Sequence, residues 1–321
     1  MGQIDKSIVM PAFFRNTVND AYFLIEMLKQ VKKDRWYNVV EFYFEGDEKQ
    51  FLDIGNVLRN YGFDSVFLAG IPLKVNKLNL SSLVAEERGY AIKRVMEWID
   101  RAYSFNSKKL LISSGVGYGS AEGNMKAKEA LINSIVLLCR YADHSADDYI
   151  LDITLEYFND QGEPWFLIGP SKDALELAKQ VSAYCRNFEL TFDLSHAVQL
   201  RENPFESFTS IMQYVNHIHI ANCVITDSSN IFYGDRHPPI GLQGGEVEED
   251  DVCRFIMQVM QAGYFDIKGK NKIVGIEVIC PDDMRLMEVY NDASGILSRA
   301  FQVKDSEAGC ESFIKAKRLI I

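Results

Sequence analysis

The sequence lacks the features of several protein classes. Its apolar runs are far shorter than the about 20 residues that cross a membrane as a helix. The six cysteines are scattered and form no CxxC pair, so most of them are expected to be buried thiols that act as small hydrophobic residues. The chain begins with a polar segment that does not have the pattern of a signal peptide. We therefore expect a protein of the reducing cytoplasm that has no membrane segment.

Basic residues are also scarce. The chain has 34 Lys and Arg against 45 Asp and Glu, which gives a formal net charge of −11. Binding to nucleic acid needs a basic surface that displaces counterions from phosphates. A nucleic acid partner is therefore not expected, and a small ligand whose oxygens meet a metal ion fits the charge better.

What the sequence does contain is an alternation of short β-rich runs with amphipathic segments. The clearest helical segment is Leu83–Tyr103, in which Ala91, Val95 and Ile99 lie on one apolar face. Strict βα alternation predicts a parallel sheet, and eight units predict closure into a (β/α)8 TIM barrel that forms a single catalytic domain over residues 1–321. An open doubly wound sheet is the alternative. The predicted strands are Ile8–Phe14, Asn38–Tyr43, Asp64–Leu68, Lys109–Ser113, Tyr149–Leu155, Glu189–Phe192, His217–Ile220 and Lys272–Val278.

The last four predicted strands each end in, or run directly into, a polar residue. These residues are Glu156, Asp193, His219 and Glu277. Barrel active sites lie at the carboxyl ends of the strands, so these side chains are expected to converge. Each of them alone is more typical of a helix cap or a hydrogen-bonded core residue. Together they form an oxygen-rich ligand set that favours Mn²⁺, with Mg²⁺ or Co²⁺ as alternatives.

These residues lie in motifs that resemble those of a known family. The resemblance is to the xylose isomerase-like barrels, which include sugar isomerases, ketose 3-epimerases and family-2 apurinic endonucleases. It implies that Glu156 and Glu277 both bind metal and move protons, and that His196 and Arg236 hold substrate oxygens. The motifs are Leu155-Glu156-Tyr157, Phe192-Asp193-Leu194-Ser195-His196, His217-Ile218-His219 and Gly275-Ile276-Glu277.

The stretch after His219 departs from the compact epimerase pattern. A long insert, residues 221–234, precedes Asp235-Arg236-His237. This order is similar to that of the catalytic subunit of C-deglycosylating enzymes, which cleave 3-oxo-C-glycosides and pair with a small second subunit. The resemblance implies a hetero-oligomer of that kind. For Asp235, direct contact with the substrate and a local salt bridge in a surface loop are equally open.

The chemistry expected at this site is removal of a proton next to a sugar carbonyl, which the metal polarises. Glu156, Glu277 or a nearby histidine would be the base. Return of the proton gives an isomer or epimer, whereas expulsion of a leaving group makes the enzyme a lyase. Because His237 could protonate a leaving group, the sequence favours a lyase on 3-oxo-(C-)glycosides. The alternatives are an aldose–ketose isomerase or ketose 3-epimerase, and a binding module without turnover, against which the intact ligand set argues.

Overall fold

A computed structural model describes residues 4–158, 167–267, 269 and 271–302. Its parallel strands close into a barrel in sequence order, and the first strand pairs with the last. This closure confirms the predicted (β/α)8 TIM barrel and excludes the open sheet. The strands are β1 (Ile4–Val9), β2 (Val39–Phe42), β3 (Asp64–Leu68), β4 (Ser107–Ser113), β5 (Asp152–Glu156), β6 (Phe188–Asp193), β7 (Val215–Ile220) and β8 (Lys272–Ile276).

Helices connect the strands. They begin at local capping signals, such as the Asp47 side chain, which accepts a hydrogen bond from the backbone of Gln50. No helix in the described part of the chain has the length and apolar character that a membrane crossing requires. The helices are α1 (Met10–Phe13), α2 (Ala21–Asp34), α3 (Glu48–Tyr61), α4 (Gly70–Val75), α5 (Ala85–Ser104), α6 (Ala121–His144), α7 (Ser171–Ser182), α8 (Leu194–Gln199), α9 (Pro204–Ile211), α10 (Glu249–Gln261) and α11 (Leu286–Gln302).

The first strand lies earlier in the chain than the sequence predicted. The prediction was Ile8–Phe14, but β1 ends at Val9 and the next four residues form α1, with Pro11 in its first turn. Proline lacks a backbone donor and is favoured at that position of a helix. Met10, Ala12 and Phe13 are buried, so their apolar run reflects burial rather than an extended backbone.

A charged cluster is buried near the amino-terminal ends of β4–β6, away from the ends that hold the site. Lys109 forms an ion pair with Glu189, and both side chains are almost completely buried. Asn216 donates a second hydrogen bond to Glu189, and Asp152 lies 3.9 Å from the ammonium group of Lys109. The charge of Glu189 is therefore matched within the protein rather than by water.

Glu189→Gln is expected to lower the free energy of unfolding by about 3 kcal/mol, because the buried Lys109 would lose its closest counter-charge. Urea unfolding would measure this change. The matched control is Glu122→Gln, which removes an exposed ion pair with Lys126 and should change stability by less than about 1 kcal/mol. Equal effects of the two variants would contradict the prediction.

Candidate metal centre

The four predicted metal ligands lie together at the mouth of the barrel. Each offers one ligand atom, and these atoms are all within 4.8 Å of one another. The Nδ1 atom of His219 is 3.1 Å from Oε1 of Glu156, 3.1 Å from Oε2 of Glu277 and 4.0 Å from Oδ2 of Asp193. The structure thus shows the convergence, and the role of these side chains as ligands stays a prediction.

The strand register explains why the four side chains meet. Glu156 and Asp193 are the last residues of β5 and β6, and Glu277 directly follows β8. Asp193 pairs with His219, and His219 pairs with Gly275 two residues before Glu277. Side chains alternate across a strand, so residues at matching levels of neighbouring strands point to the same space.

Asp193 provides a test of whether a cation fits this space. Its side chain is fully buried, and its Oδ1 accepts hydrogen bonds from the amide and hydroxyl of Ser195 and from the amide of His196. Its Oδ2 has no hydrogen-bond partner among the described residues. A buried carboxylate oxygen without a donor is costly, and a divalent cation between the four ligands would satisfy it. The donor set therefore fits a hard divalent ion.

His219 lies between carboxylates on both sides of its ring. Its Nδ1 faces Glu156 and Glu277, and its Nε2 is 3.0 Å from Oε2 of Glu41. Burial lowers the pKa of His219, but Glu41 and then the two ligand carboxylates outweigh burial and raise the pKa well above its ordinary value. Because a metal ion binds the deprotonated nitrogen, metal affinity is expected to fall as the pH is lowered.

Glu41, a fully buried carboxylate in β2, was not among the site residues predicted from the sequence. Burial raises the pKa of Glu41, but His217 and His219 outweigh it and lower the pKa below its ordinary value. The available signal was a single charge in the apolar run Val39-Val40-Glu41-Phe42. A carboxylate in a buried strand is almost always paired, yet nothing in the sequence identifies its partners on β7.

A second cluster adjoins the four predicted metal ligands. Asp235 Oδ1 is 2.9 Å from Nε2 of His237 and 3.3 Å from Nε2 of His196. Burial raises the pKa of Asp235, but the two imidazoles outweigh it and lower the pKa below its ordinary value. Asp235 therefore holds both rings, and it is not a surface salt bridge. Asp193, His196 and His237 also offer ligand atoms within 4.8 Å of one another, so a cation could bind there as well.

His237 has an unusual backbone. Its φ angle is 39°, a region that is unfavourable for a residue with a side chain. It is 5% exposed, and its carbonyl accepts a 2.7 Å hydrogen bond from the amide of Ile279. Burial lowers the pKa of His237, but Asp235 and then Glu277 raise it well above its ordinary value. Such strain is concentrated at functional sites, so it supports the predicted role of His237.

Arg236 lies in the chain between Asp235 and His237, which both face inward, but its own side chain is exposed. Its contact with substrate oxygens stays a prediction. The insert before it, residues 221–234, is closed at its base, because the amide of Gly234 donates a 2.8 Å hydrogen bond to the carbonyl of Val224. Ile231 and Tyr233 near the end of the insert are 81% and 48% exposed.

Comparisons with known proteins agree with this fold. No curated protein is significantly similar in sequence. Among solved structures, the chain is similar to a D-tagatose 3-epimerase-like protein, with 16% identity, a TM-score of 0.69, and coverage of 93% of this chain and 98% of that one. It is also similar to D-psicose 3-epimerase from Clostridium cellulolyticum H10, with 14% identity, a TM-score of 0.67, and coverage of 94% of this chain and 100% of that one. A third similar structure is 3-keto-D-glucoside 4-epimerase from E. coli, with 14% identity, a TM-score of 0.65, and coverage of 92% of this chain and 100% of that one.

At these identities the structural similarity shows the fold rather than the reaction. The family itself is shown by the sequence. The model of the xylose isomerase-like TIM barrel family matches residues 10–272. The chain therefore belongs to the xylose isomerase-like TIM barrel family.

Proposed function

We propose that this protein is a divalent-metal-dependent epimerase or isomerase that acts on a sugar or keto-sugar. The main support is the convergence of three carboxylates and one imidazole within 4.8 Å at the barrel mouth. The similar structures include a D-psicose 3-epimerase and a 3-keto-D-glucoside 4-epimerase, beside a family-2 AP endonuclease. They support the epimerase alternative better than the lyase that the sequence favoured.

The four ligands would hold Mn²⁺, or alternatively Mg²⁺ or Co²⁺, and that ion would polarise a carbonyl oxygen of the substrate. Glu156 and Glu277 would move the protons. Their side chains are 16% and 20% exposed, whereas Asp193 is fully buried. They project from the ends of β5 and β8, which two strands separate. In this proposal one carboxylate would remove a proton from one face of a sugar carbon, and the other would return a proton to the opposite face.

His196 and His237 would orient the substrate. The Nδ1 atoms of both rings are buried and have no hydrogen-bond partner among the described residues. Each Nε2 is held by Asp235, so the rings are fixed before the substrate binds. Fixed polar groups of this kind position a substrate at little entropic cost when it binds. Arg236 would bind further substrate oxygens at the rim of the pocket.

A lyase that acts on 3-oxo-(C-)glycosides is the second candidate. The observation that favours it is His237, a buried imidazole with a raised pKa whose Nε2 lies 4.0 Å from Glu277. Such a group could give a proton to a departing aglycone. The exposed apolar residues of the insert would then offer a surface to a small second subunit that completes the pocket.

Composition supports a cytoplasmic setting. The cysteines are scattered along the chain without a CxxC pair, a pattern that is typical of proteins in a reducing compartment. The net charge of −11 speaks against a nucleic acid partner.

Hydrogen exchange at the substrate carbon would test both candidates. The protein with Mn²⁺ would be incubated in D₂O with free ketoses, a 3-oxo-glucoside and a 3-oxo-C-glycoside, and the products followed by NMR. We expect deuterium incorporation with formation of an epimer or isomer. Release of the aglycone would favour the lyase instead. Absence of exchange from every substrate, with the metal shown to be bound, would contradict both.

His196→Ala is expected to lower kcat/KM by about tenfold to a hundredfold, because a hydrogen bond to the substrate is lost, and to leave the metal content unchanged. Elemental analysis and steady-state kinetics would measure these effects. Arg236→Ala should mainly raise KM. The control is His144→Ala, at an exposed position at the end of α6, which should behave as the parent protein. Loss of metal in His196→Ala would make His196 a ligand instead.

A further inference from the structure

Glu41 occupies the interior of the barrel beneath the proposed metal ligands. Its side chain is fully buried. Its Oε1 accepts a 2.5 Å hydrogen bond from the hydroxyl of Ser7 and lies 2.9 Å from Nε2 of His217. Its Oε2 lies 3.0 Å from Nε2 of His219. A single carboxylate thus joins β1, β2 and β7.

The directions of these hydrogen bonds follow from the donor and acceptor groups. An ionised carboxylate can only accept, so the Nε2 atoms of His217 and His219 both carry a proton. The Nδ1 atom of His217 is 3.1 Å from the hydroxyl of Thr191, which in turn lies 2.7 Å from that of Thr154. When Nε2–H of a neutral His219 donates a hydrogen bond to Glu41, the lone pair of Nδ1 points into the space between the carboxylates of Glu156 and Glu277, where a cation would bind.

The space for Glu41 depends on a glycine. A Cβ atom at Gly275 would lie 2.6 Å from Oε1 of Glu41, 2.5 Å from Oγ of Ser7 and 3.3 Å from Cδ2 of His219. All three neighbours are buried, so a larger residue in β8 would displace the carboxylate or the imidazole. Gly275 therefore permits the contact between Glu41 and His219.

We propose that Glu41 is a positioning residue of the metal centre, which holds His219 in the tautomer and ring orientation that turn Nδ1 toward the ion. This inference rests on the proposed metal site. Histidine ligands commonly donate their second ring N–H to a carboxylate, and loss of such a partner typically lowers metal affinity by about tenfold to a hundredfold. Glu41 would then act on the metal through His219 without touching the ion itself.

Titration calorimetry with Mn²⁺ would test this role. Glu41→Met keeps a similar volume but removes the acceptor, so we expect the Kd for Mn²⁺ to rise by about tenfold to a hundredfold. Glu41→Gln keeps one oxygen that can accept from His219 and should show a smaller rise. Gly275→Ala removes no polar group, yet it should also raise the Kd, because its methyl group competes with Glu41 for space.

A control variant and a second measurement distinguish a positioning role of Glu41 from a purely structural one. Glu189→Gln also removes a buried carboxylate, at the other end of the barrel, and should reduce stability while the Kd for Mn²⁺ stays within about twofold. NMR of ¹⁵N-labelled histidine in the Mg²⁺-loaded protein should show a protected Nε2–H on His219 in the parent. That signal should be lost in Glu41→Met.

The results separate two failures. If the parent protein binds no divalent cation, the proposed metal site is wrong and the role of Glu41 fails with it. If the parent binds Mn²⁺ and Glu41→Met binds it equally well, only the inference about Glu41 is wrong. A rise in the Kd that Glu189→Gln reproduces would reduce Glu41 to a residue that supports the fold.

Discussion

Glu156→Gln and Glu277→Gln are each expected to lower turnover by about 10²- to 10⁴-fold, even with Mn²⁺ at saturation. Glutamine has the shape of glutamate and can still offer an oxygen to a cation, but it cannot accept a proton from carbon. Steady-state kinetics, with metal occupancy measured by elemental analysis, would separate the loss of proton transfer from the loss of metal.

The two variants should also differ from each other in D₂O. If the carboxylates work on opposite faces of the sugar carbon, each variant should lose deuterium exchange from one epimer and keep part of it from the other. The matched control is Asp193→Asn, because Asp193 is fully buried and is expected to be a ligand only. Its activity should recover partly at high Mn²⁺. Full recovery of Glu156→Gln and Glu277→Gln at high Mn²⁺ would make both residues ligands without a role in proton transfer.

His237→Ala is expected to lower turnover by about a hundredfold or more if the imidazole transfers a proton in the slow step. Asp235 fixes the ring through a 2.9 Å contact with Nε2, which also lies 4.0 Å from Oε1 of Glu277, and Nδ1 is buried without a hydrogen-bond partner among the described residues. Burial lowers the pKa of His237, but Asp235 and then Glu277 outweigh it and raise the pKa, which favours the doubly protonated imidazolium that a proton donor requires. The alanine variant removes both the proton donor and the hydrogen bond.

His237→Gln distinguishes the two reactions. Glutamine can donate a hydrogen bond but cannot deliver a proton. In an epimerase, in which His237 only orients the substrate, His237→Gln should recover most of the activity that alanine loses. In a lyase, His237→Ala and His237→Gln should be equally slow. Their loss of turnover relative to the parent should be smaller for aglycones that leave readily as anions. Parent-like rates in His237→Ala with every substrate would remove His237 from the site.

The fold could largely be predicted from the sequence, because the signals for it are local. Apolar runs that end in turn residues mark strands, and the amphipathic stripe of Leu83–Tyr103 became α5 with nearly the same bounds. The strand prediction was wrong at Met10–Phe13, which is helical, for the same reason that it was right elsewhere. An apolar run records burial, and a short buried helical turn has the same composition as a strand.

The four proposed ligands could be predicted because their position is also local information. Each is the last residue of a β-strand or within two residues of its end, and a closed parallel barrel brings all carboxyl ends to one mouth. The inward orientation of Asp235 and His237, on either side of an exposed Arg236, could not be derived in this way. It depends on how the loop packs against α8 and the strand ends.

The partners of Glu41 depend on how distant parts of the chain pack together. It meets His217 and His219 across more than 170 positions of sequence, and the contact needs the space that Gly275 leaves between β1 and β7. Alternation along a strand determines which side chains face the barrel axis. Which of them meet inside the barrel depends on how the strands are staggered when the sheet closes, and no single strand contains that information. The barrel and the convergence of four candidate metal ligands at its mouth were thus predictable from local patterns in the chain, whereas the closure of the sheet fixed which residues contact those ligands from inside the barrel.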